Sequence, residues 1–203
     1  HEMLTIAVSG DGDCYGEGGN HLMHAMRRNI NVKLFVHDNQ IYGLTKGQAS
    51  PTSPEGMITK NQPFGVFSEQ FNPMAFAVAL DCSFAARGFA GDMEHLKDLI
   101  KAAINHKGFS LVDILQPCVT FNKINTYEWY RQRVYRIEPE YNPEDRAAAF
   151  KRALEWGDRI PIGVIYKNNR QTLEDRIPVI KDAPLVRQPL DKAKLNITLK
   201  EFY

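Results

Sequence analysis

The sequence predicts an α/β protein in which helices flank a parallel sheet. Two apolar runs, Leu4 to Val8 and Val32 to Val36, are bounded by turn residues, as is typical of strands buried in a parallel sheet. The segment between them is long enough for a crossover helix. Strand-like and helix-like segments continue to alternate further along the chain, which favours the same fold class.

The remaining elements follow from capping residues and apolar periodicity. A loop at Gly16 to Gly19 precedes a helix capped by Asn20, and a long loop follows the second strand. The predicted elements are helix His21–Arg28, loop Gln40–Gln70, a helix beginning at Pro73 after the cap Asn72, strand Ser83–Arg87, helix Asp92–His106, strand Phe109–Leu115, a helix from Asn142 to about Trp156 and strand Ile160–Tyr166.

Composition narrows the class of protein. The chain has 203 residues and is 43% hydrophobic, which is enough for one sizeable core. A formal net charge of +1 gives no electrostatic argument for nucleic acid or an acidic membrane as a partner. No apolar run approaches the roughly 20 residues that span a bilayer. Three widely spaced cysteines do not form a disulfide framework, so a reducing, cytoplasmic setting is expected.

Polar groups follow both of the first two strands. Asp11 lies between Gly10 and Gly12, whose lack of side chains lets a ligand approach the backbone, and Asn39 follows the second strand. Ligands of open α/β sheets bind at the carboxyl ends of the strands. Two oxygen ligands near phosphate groups suit Mg²⁺, which takes its other ligands from substrate and water. Asp11 and Asn39 are therefore predicted to bind magnesium.

The pattern GDG followed by this asparagine resembles the thiamine diphosphate motif. The surrounding sequence, GDGD…GGNH…RRN…DNQIYGLTKGQASPTSP, is similar to the β subunits of 2-oxoacid:ferredoxin oxidoreductases. The resemblance extends through Gln116-Pro117-Cys118 and Ile160 to Gly163, and so covers most of the chain. It implies the thiamine diphosphate-binding fold of the pyrophosphate-binding type, with a C-terminal extension.

The resemblance also implies roles for individual residues. The main-chain oxygen of Ile41 joins Asp11 and Asn39 on magnesium, and backbone near Gly12-Asp13 and Gly43-Leu44 holds the cofactor diphosphate. Residues 1–124 are expected to form the domain that binds thiamine diphosphate and magnesium. Residues 125–203 are expected to form the extension, which packs on this domain and on a partner subunit.

Lys46 follows the predicted cofactor-binding turn. A lysine at this place is able to pair with the carboxylate of a 2-oxoacid. If it meets a distal carboxylate, a dicarboxylic substrate such as 2-oxoglutarate is favoured. A solvated surface lysine and a lysine bound to cofactor phosphate are the alternatives, and the sequence leaves all three open.

Cys118 stands where the resembled family has a cysteine that ligates an iron–sulfur cluster. A lone cysteine is more often a buried structural residue, but its position favours the ligand role. A 4Fe–4S cluster typically needs four thiolates. The other ligands are expected upstream of residue 1, because the chain enters a core strand almost at once and the family's N-terminal cysteine motif is absent.

The implied function is oxidative decarboxylation of a 2-oxoacid to acyl-coenzyme A and CO₂, with electrons passing to ferredoxin. 2-Oxoglutarate is the favoured substrate and pyruvate the next. The glutamate that activates the cofactor is expected on an α subunit, so the active site is expected at the interface with that partner. The aromatic, basic segment 126–137 is predicted to form an amphipathic helix at an interface, and residues 168–203 to wrap over a partner.

Three other interpretations are open. A non-oxidative thiamine diphosphate decarboxylase or carboligase subunit shares the motif but has no use for Cys118. A non-catalytic binding subunit would keep the fold without turnover, and the intact Asp11 and Asn39 pair argues against it. An NAD-binding domain ranks last, because GDGDCYG is not the G-x-G-x-x-G pattern.

Overall fold

The computed structural model describes residues 3–202, and within this range the chain folds around a six-stranded sheet. The strand order is β1-β2-β4-β3-β6-β5, so β1 and β5 form the edges. The strands are β1 (Thr5–Gly10), β2 (Val32–Asp38), β3 (Phe84–Phe89), β4 (Ser110–Leu115), β5 (Val134–Arg136) and β6 (Ile160–Lys167). The predicted fold class is confirmed.

Helices cover both faces of this sheet. The cap predicted at Asn72 is present, because its side chain accepts the Ala75 N–H, and Asp92, at the predicted start of another helix, accepts the His95 N–H. The helices are α1 (Gly19–Arg28), α2 (Pro73–Ala79), α3 (Met93–Asn105), α4 (Tyr127–Arg131), α5 (Arg146–Ala153), α6 (Leu173–Arg176) and α7 (Lys192–Lys200).

The segment after β1 is more helical than the sequence predicts. Residues Gly12–Glu17 form a π-helical turn, and α1 begins at Gly19 after the cap residue Gly18. The predicted loop at Gly16 to Gly19 and the predicted cap Asn20 are therefore wrong. Contacts with distant residues hold this glycine-rich segment in shape, and its own weak helix propensity does not decide its structure.

The register brings the ends of β1, β2 and β4 to one edge of the sheet. β1 pairs with β2 in parallel with Gly10 opposite His37, and β2 pairs with β4 in parallel with Asp38 opposite Leu115. The residues that follow each strand are therefore neighbours. Residues 39–72, all in the described part of the chain, form a long loop without a helix or strand apart from one isolated bridge.

The residues after 124 add two strands to the same sheet. β6 pairs antiparallel with β3, and β5 pairs parallel with β6. The amphipathic helix predicted over 126–137 is wrong, since this segment forms the short helix α4 and then β5. A pattern of aromatic residues with interspersed arginines is compatible with a helix or a strand. Pairing with β6 selects the strand over Val134–Arg136.

Apolar side chains pack on both faces of the sheet. One cluster joins α1, α2 and α5 through residues such as Met26, Ala77 and Ala149. The other places Leu96 and Leu99 of α3 against β2, β3 and β4. None of the helices within residues 3–202 is both long and apolar enough to cross a membrane.

Candidate active site

Asp11 is the centre of the polar groups at the carboxyl edge of the sheet. It follows β1 and is only 1% exposed. Its Oδ2 accepts hydrogen bonds from the Ser50 hydroxyl at 2.6 Å and the Thr52 hydroxyl at 2.7 Å. Its Oδ1 accepts only a long bond, 3.5 Å, from the Asn39 N–H. One carboxylate oxygen is therefore anchored by hydroxyl groups, and the other keeps a lone pair that no donor among residues 3–202 uses.

Ser50 and Thr52 contact Asp11, which the sequence does not predict. Both lie in the loop after β2, in the segment ASPTSP, and the Thr52 hydroxyl also contacts Asp38 Oδ1 at 2.9 Å. A run of hydroxyl residues between prolines signals a shaped loop, but the sequence does not show which strand end it folds back upon. The structure brings both hydroxyl groups to Asp11.

Asn39 stands beside Asp11, as the spacing predicts. Its backbone N–H donates to Asp11 Oδ1, and its side-chain Oδ1 accepts the Ile41 N–H at 3.1 Å. This local turn reverses the chain directly after the strand. The Ile41 side chain is buried against Met57 and Val66. The Ile41 side chain thus packs in the core of the loop and anchors its backbone next to Asn39.

Tyr42 connects the loop after β2 to the segment that follows Asp11, the two segments predicted to hold the cofactor diphosphate. Its hydroxyl lies 3.2 Å from the Gly12 carbonyl oxygen and 3.1 Å from the Glu17 carboxylate. Its ring covers the Gly12 backbone so closely that a Cβ there would lie 2.2 Å from Tyr42 Cε1. Burial, followed by the bond to Glu17, raises the pKa of Tyr42 to about 12, so it remains a phenol near neutral pH.

The remaining predicted cofactor and substrate residues lie on the surface. Gly43 has open space where a side chain would stand, and Leu44 is 99% exposed. Asp13 and Lys46 are exposed. Within residues 3–202, the Lys46 side chain forms no hydrogen bond or ion pair, while its backbone N–H donates to the Gly43 carbonyl oxygen at 3.1 Å. Its φ of 72° places it in the left-handed region. The structure therefore groups Gly12 with Asp11 and Asn39, and leaves Leu44 and Lys46 pointing away from the protein's own core.

Three buried acids, Asp11, Asp38 and Asp113, lie near the carboxyl edge of the sheet. Asp38 and Asp113 are as buried as Asp11, and burial, with repulsion from Asp113 and Asp11, raises the pKa of Asp38 well above its ordinary value. Burial raises the pKa of Asp113 to about 6, against the opposing effect of Arg87. Tyr15, in the π-helical turn, donates to Asp113 Oδ1 at 2.7 Å.

A single guanidinium faces these acids among the described residues that surround them. Arg87 Nε lies 3.9 Å from Asp113 Oδ2, and both side chains are 1% exposed. A cavity of about 130 Å³ borders Asp38, Arg87, Asp113 and Trp156. The cluster contains three carboxyl groups and one guanidinium, and burial raises the pKa of all three acids, so their full ionisation without a bound cation is unfavourable.

Cys118 lies in the turn after β4 and is partly exposed. Burial alone would raise the pKa of its thiol, but N–H groups of Phe121, Asn122 and Thr120, with Lys123, lower it below the ordinary value. The Phe121 N–H lies 3.4 Å from the sulfur. By contrast, the pKa values of Cys14 and Cys82 are raised to about 12, chiefly by burial. Cys118 is the cysteine that suits a thiolate ligand.

These groups fit the cofactors that the motif implies. Asp11 Oδ1 and the side-chain and backbone oxygens near Asn39 are hard ligands, as Mg²⁺ prefers. No cluster of three His, Cys, Asp or Glu able to hold a metal occurs among residues 3–202, so the other ligands of such an ion would come from phosphate and water. Cys118 would supply one thiolate to an iron–sulfur cluster.

Comparisons with known proteins identify relatives along most of the chain. Residues 2–114 match the model of the thiamine pyrophosphate enzyme C-terminal TPP-binding domain, and residues 118–182 match the model of the C-terminal part of the pyruvate ferredoxin oxidoreductase β subunit. The chain is 43% identical to a 2-oxoacid:ferredoxin oxidoreductase subunit beta from Sulfolobus, with 94% of this chain and 68% of the relative covered. It is 49% identical to the 2-oxoglutarate oxidoreductase subunit KorB of Mycobacterium tuberculosis over 60% of this chain and 32% of the relative.

A solved structure shows the same fold. It is a 2-oxoglutarate:ferredoxin oxidoreductase from Magnetococcus marinus with 2-oxoglutarate, coenzyme A and succinyl-CoA bound. The TM-score is 0.86 at 36% identity, and the match covers 93% of this chain and 65% of that one. The chain thus spans about two thirds of the length of this structure and of the Sulfolobus relative.

The fold and the polar edge define a domain of the thiamine diphosphate enzyme class. Within that class, the similarity extends beyond the cofactor domain into the C-terminal part of the chain. The chain belongs to the family of 2-oxoacid:ferredoxin oxidoreductase β subunits.

Proposed function

We propose that this chain anchors magnesium and thiamine diphosphate in an enzyme that oxidatively decarboxylates a 2-oxoacid to acyl-coenzyme A and CO₂. The observation that carries the proposal is the environment of Asp11. Its Oδ2 is fixed by two hydroxyl groups, while its Oδ1 accepts only one long hydrogen bond, from the Asn39 N–H. A cation bound there would favour the ionised forms of the buried acids.

The residues of this chain would act by holding groups in place. Asp11 Oδ1, Asn39 Oδ1 and the Ile41 carbonyl would bind magnesium, and backbone at Gly12-Asp13 and Gly43-Leu44 would hold the diphosphate. Thiamine diphosphate, when bound, supplies the carbanion-stabilising chemistry that decarboxylation requires. Fixing the reacting groups in one geometry lowers the entropic part of the barrier.

We propose 2-oxoglutarate as the favoured substrate and pyruvate as the next. The names of the Mycobacterium and Magnetococcus relatives mention 2-oxoglutarate, whereas the model matched by residues 118–182 is named for pyruvate. Lys46 supports a dicarboxylic acid, because it is an exposed cation with no partner in residues 3–202 and follows the cofactor loop. It would bind the distal carboxylate of the substrate.

We further propose that Cys118 ligates a 4Fe–4S cluster that passes electrons to ferredoxin. The lowered pKa of its thiol supports a thiolate ligand at this position. An α subunit would complete the active site over the exposed residues Leu44 and Lys46. Residues 125–203 would form the extension that packs on the cofactor domain and on a partner, and its exposed apolar side chains, such as Val186 at 89% and Phe202 at 81%, support that contact.

The test uses the complex of this chain with its partner subunit, purified without oxygen. Coenzyme A-dependent reduction of a low-potential dye is measured with a panel of 2-oxoacids. Activity that is highest with one acid would support the reaction and identify its substrate. No reduction with any acid, despite bound thiamine diphosphate, would refute the oxidative reaction and favour a non-oxidative carboligase or a non-catalytic subunit.

Two variants assign the roles of the residues. Asp11→Ala should abolish magnesium-dependent binding of thiamine diphosphate, measured by calorimetry, while the exposed Asp98→Ala should not. Lys46→Ala should raise KM for 2-oxoglutarate by about 10-fold and leave KM for pyruvate unchanged. Lys60→Ala, at an exposed lysine of the same loop, is its control. Equal effects on both acids would remove Lys46 from substrate recognition.

A further inference from the structure

The turn that carries Cys118 packs directly on the loop that follows β2. The Phe121 ring lies against Gly47, where an added Cβ would be 3.1 Å from Phe121 Cδ1. Cys118 itself packs against the buried cluster that contains Ile41. The two segments to which the family assigns different cofactors therefore share one interface in this chain.

Asn122 is the polar residue at the centre of this interface. It is 1% exposed, and its Nδ2 donates to the backbone carbonyl oxygen of Asn39 at 3.2 Å. The same Nδ2 donates to Asn125 Oδ1 at 3.2 Å. Its Oδ1 accepts the Ile124 and Asn125 N–H groups, both at 3.0 Å.

These contacts fix the orientation of the Asn122 amide. Two backbone N–H donors face one end of the side chain, and two oxygen acceptors face the other, so the oxygen and nitrogen cannot be exchanged without leaving four groups unpaired. All four hydrogen-bonding positions of the amide are used. A buried amide satisfied in this way holds its neighbours rigidly, because any displacement leaves a buried polar group without a partner.

We propose that Asn122 is a positioning residue that links the magnesium-binding loop to the Cys118 turn. By holding the Asn39 carbonyl, it fixes the peptide that presents the Asn39 side chain to the metal. By accepting the Ile124 and Asn125 N–H groups, it closes the turn that follows Cys118. Movement at one cofactor site is thereby transmitted to the other. This inference rests on the proposed function of Asp11 and Asn39 as magnesium ligands.

The variant Asn122→Asp removes the side-chain N–H donors of residue 122 and introduces a buried carboxyl group. Aspartate keeps an oxygen for the Ile124 and Asn125 N–H groups, but it places an acceptor against the Asn39 carbonyl oxygen. The matched control is Asn125→Ala, which removes the other acceptor of Asn122 Nδ2 and leaves the bond to Asn39 intact. Both variants lose the hydrogen bond between Asn122 Nδ2 and Asn125 Oδ1. The difference between their magnesium affinities therefore reports on the contact with the Asn39 carbonyl oxygen.

The measurement is the magnesium chloride concentration that half-saturates thiamine diphosphate binding to the complex with the partner subunit. We expect a rise of about 10-fold, or 1.4 kcal/mol, for Asn122→Asp and less than about 2-fold for Asn125→Ala. An equal rise in both variants, or none in Asn122→Asp, would overturn the proposal. If the wild-type complex binds no thiamine diphosphate with magnesium, the proposed function itself fails, and this inference fails with it.

A second measurement uses the wild-type complex and so needs no variant. In the wild-type complex, addition of magnesium and thiamine diphosphate should slow hydrogen exchange at the amides of Ile124 and Asn125, which bond to Asn122 rather than to any proposed cofactor ligand. The amide of Leu195, in the exposed helix α7, serves as the reference and should be unchanged. Unaltered exchange at Ile124 and Asn125 would contradict the link.

Discussion

Gly12→Ala is the substitution whose consequence follows most directly from the geometry of the site. The φ of Gly12 lies outside the left-handed region, so alanine is compatible with the backbone. The obstacle is Tyr42. An added Cβ would lie 2.2 Å from Cε1 and 2.6 Å from Cδ1 of its ring. The effect of this substitution is therefore steric and is assigned to one neighbour.

The expected loss of stability is substantial. Carbon atoms in contact prefer a separation of about 3.5–4.0 Å, so the ring must retreat by more than about 1 Å. In doing so its hydroxyl leaves the Gly12 carbonyl oxygen and the Glu17 carboxylate, now at 3.2 Å and 3.1 Å. Overpacking costs about 1–3 kcal/mol and a lost hydrogen bond about 1 kcal/mol, so we expect a decrease of about 2–4 kcal/mol in the free energy of unfolding.

A double-mutant cycle identifies the cause. Urea unfolding is measured for the wild type, Gly12→Ala, Tyr42→Ala and the double variant. Gly12→Ala should be costly when Tyr42 is present and close to neutral in the Tyr42→Ala background. Gly19→Ala is the control, because no atom lies within 4 Å of a Cβ placed there. An equal cost of Gly12→Ala in both backgrounds would refute the reasoning.

Three further predictions concern the acids and the cysteine. Thr52→Val keeps the shape of the side chain but removes the hydroxyl that bonds Asp11. Magnesium should therefore bind about 10-fold more weakly, as measured by calorimetry. The control Thr45→Val, at an exposed threonine, should have no effect. The pKa of Asp113 is raised from 3.8 to about 6, so its stabilising contribution is full below pH 4 and is lost as the pH rises through 6. Relative to Asp113→Asn, the wild type should therefore gain about 2 kcal/mol of unfolding free energy between pH 7 and pH 4 in pH-dependent urea melts. A constant difference would contradict the raised pKa. Cys118→Ser in the complex should remove bound iron and its visible absorbance. The control Cys82→Ser, at a fully buried thiol, should keep both. An unaltered spectrum in Cys118→Ser would indicate that Cys118 has only a structural role.

The sequence predicts those parts of the site that depend on strand ends. Asp11 and Asn39 follow two apolar runs separated by one helix, and parallel pairing brings such positions together whatever the details of the loops. The caps at Asn72 and Asp92 were also predictable, because a capping side chain bonds within its own turn. Local rules are sufficient for these features.

The features that the sequence does not predict depend on contacts between distant segments. Arg87 and Asp113 lie inside apolar strands, and their pairing becomes visible only when β3 is known to lie beside β4 in a register that sets them opposite each other. The hydroxyl groups of Ser50 and Thr52 reach Asp11 only because the long loop folds back. The glycine-rich segment after Gly12 is helical because Tyr15 and Tyr42 hold it from two sides.

The partners of Asp11 explain how a buried acid is kept available for a metal. A lysine or arginine beside it would orient the carboxylate but would also neutralise it and compete with a cation. Here two hydroxyl groups donate to Oδ2 and one backbone N–H donates to Oδ1, so the carboxylate is oriented without a cationic partner. Burial raises the pKa of Asp11, and these hydrogen bonds act against that rise. The guanidinium of Arg87 lies beside Asp113 instead, at 3.9 Å. The neutral donors therefore fix the geometry of the proposed magnesium ligand, and a cation bound there would favour the ionised forms of Asp11, Asp38 and Asp113.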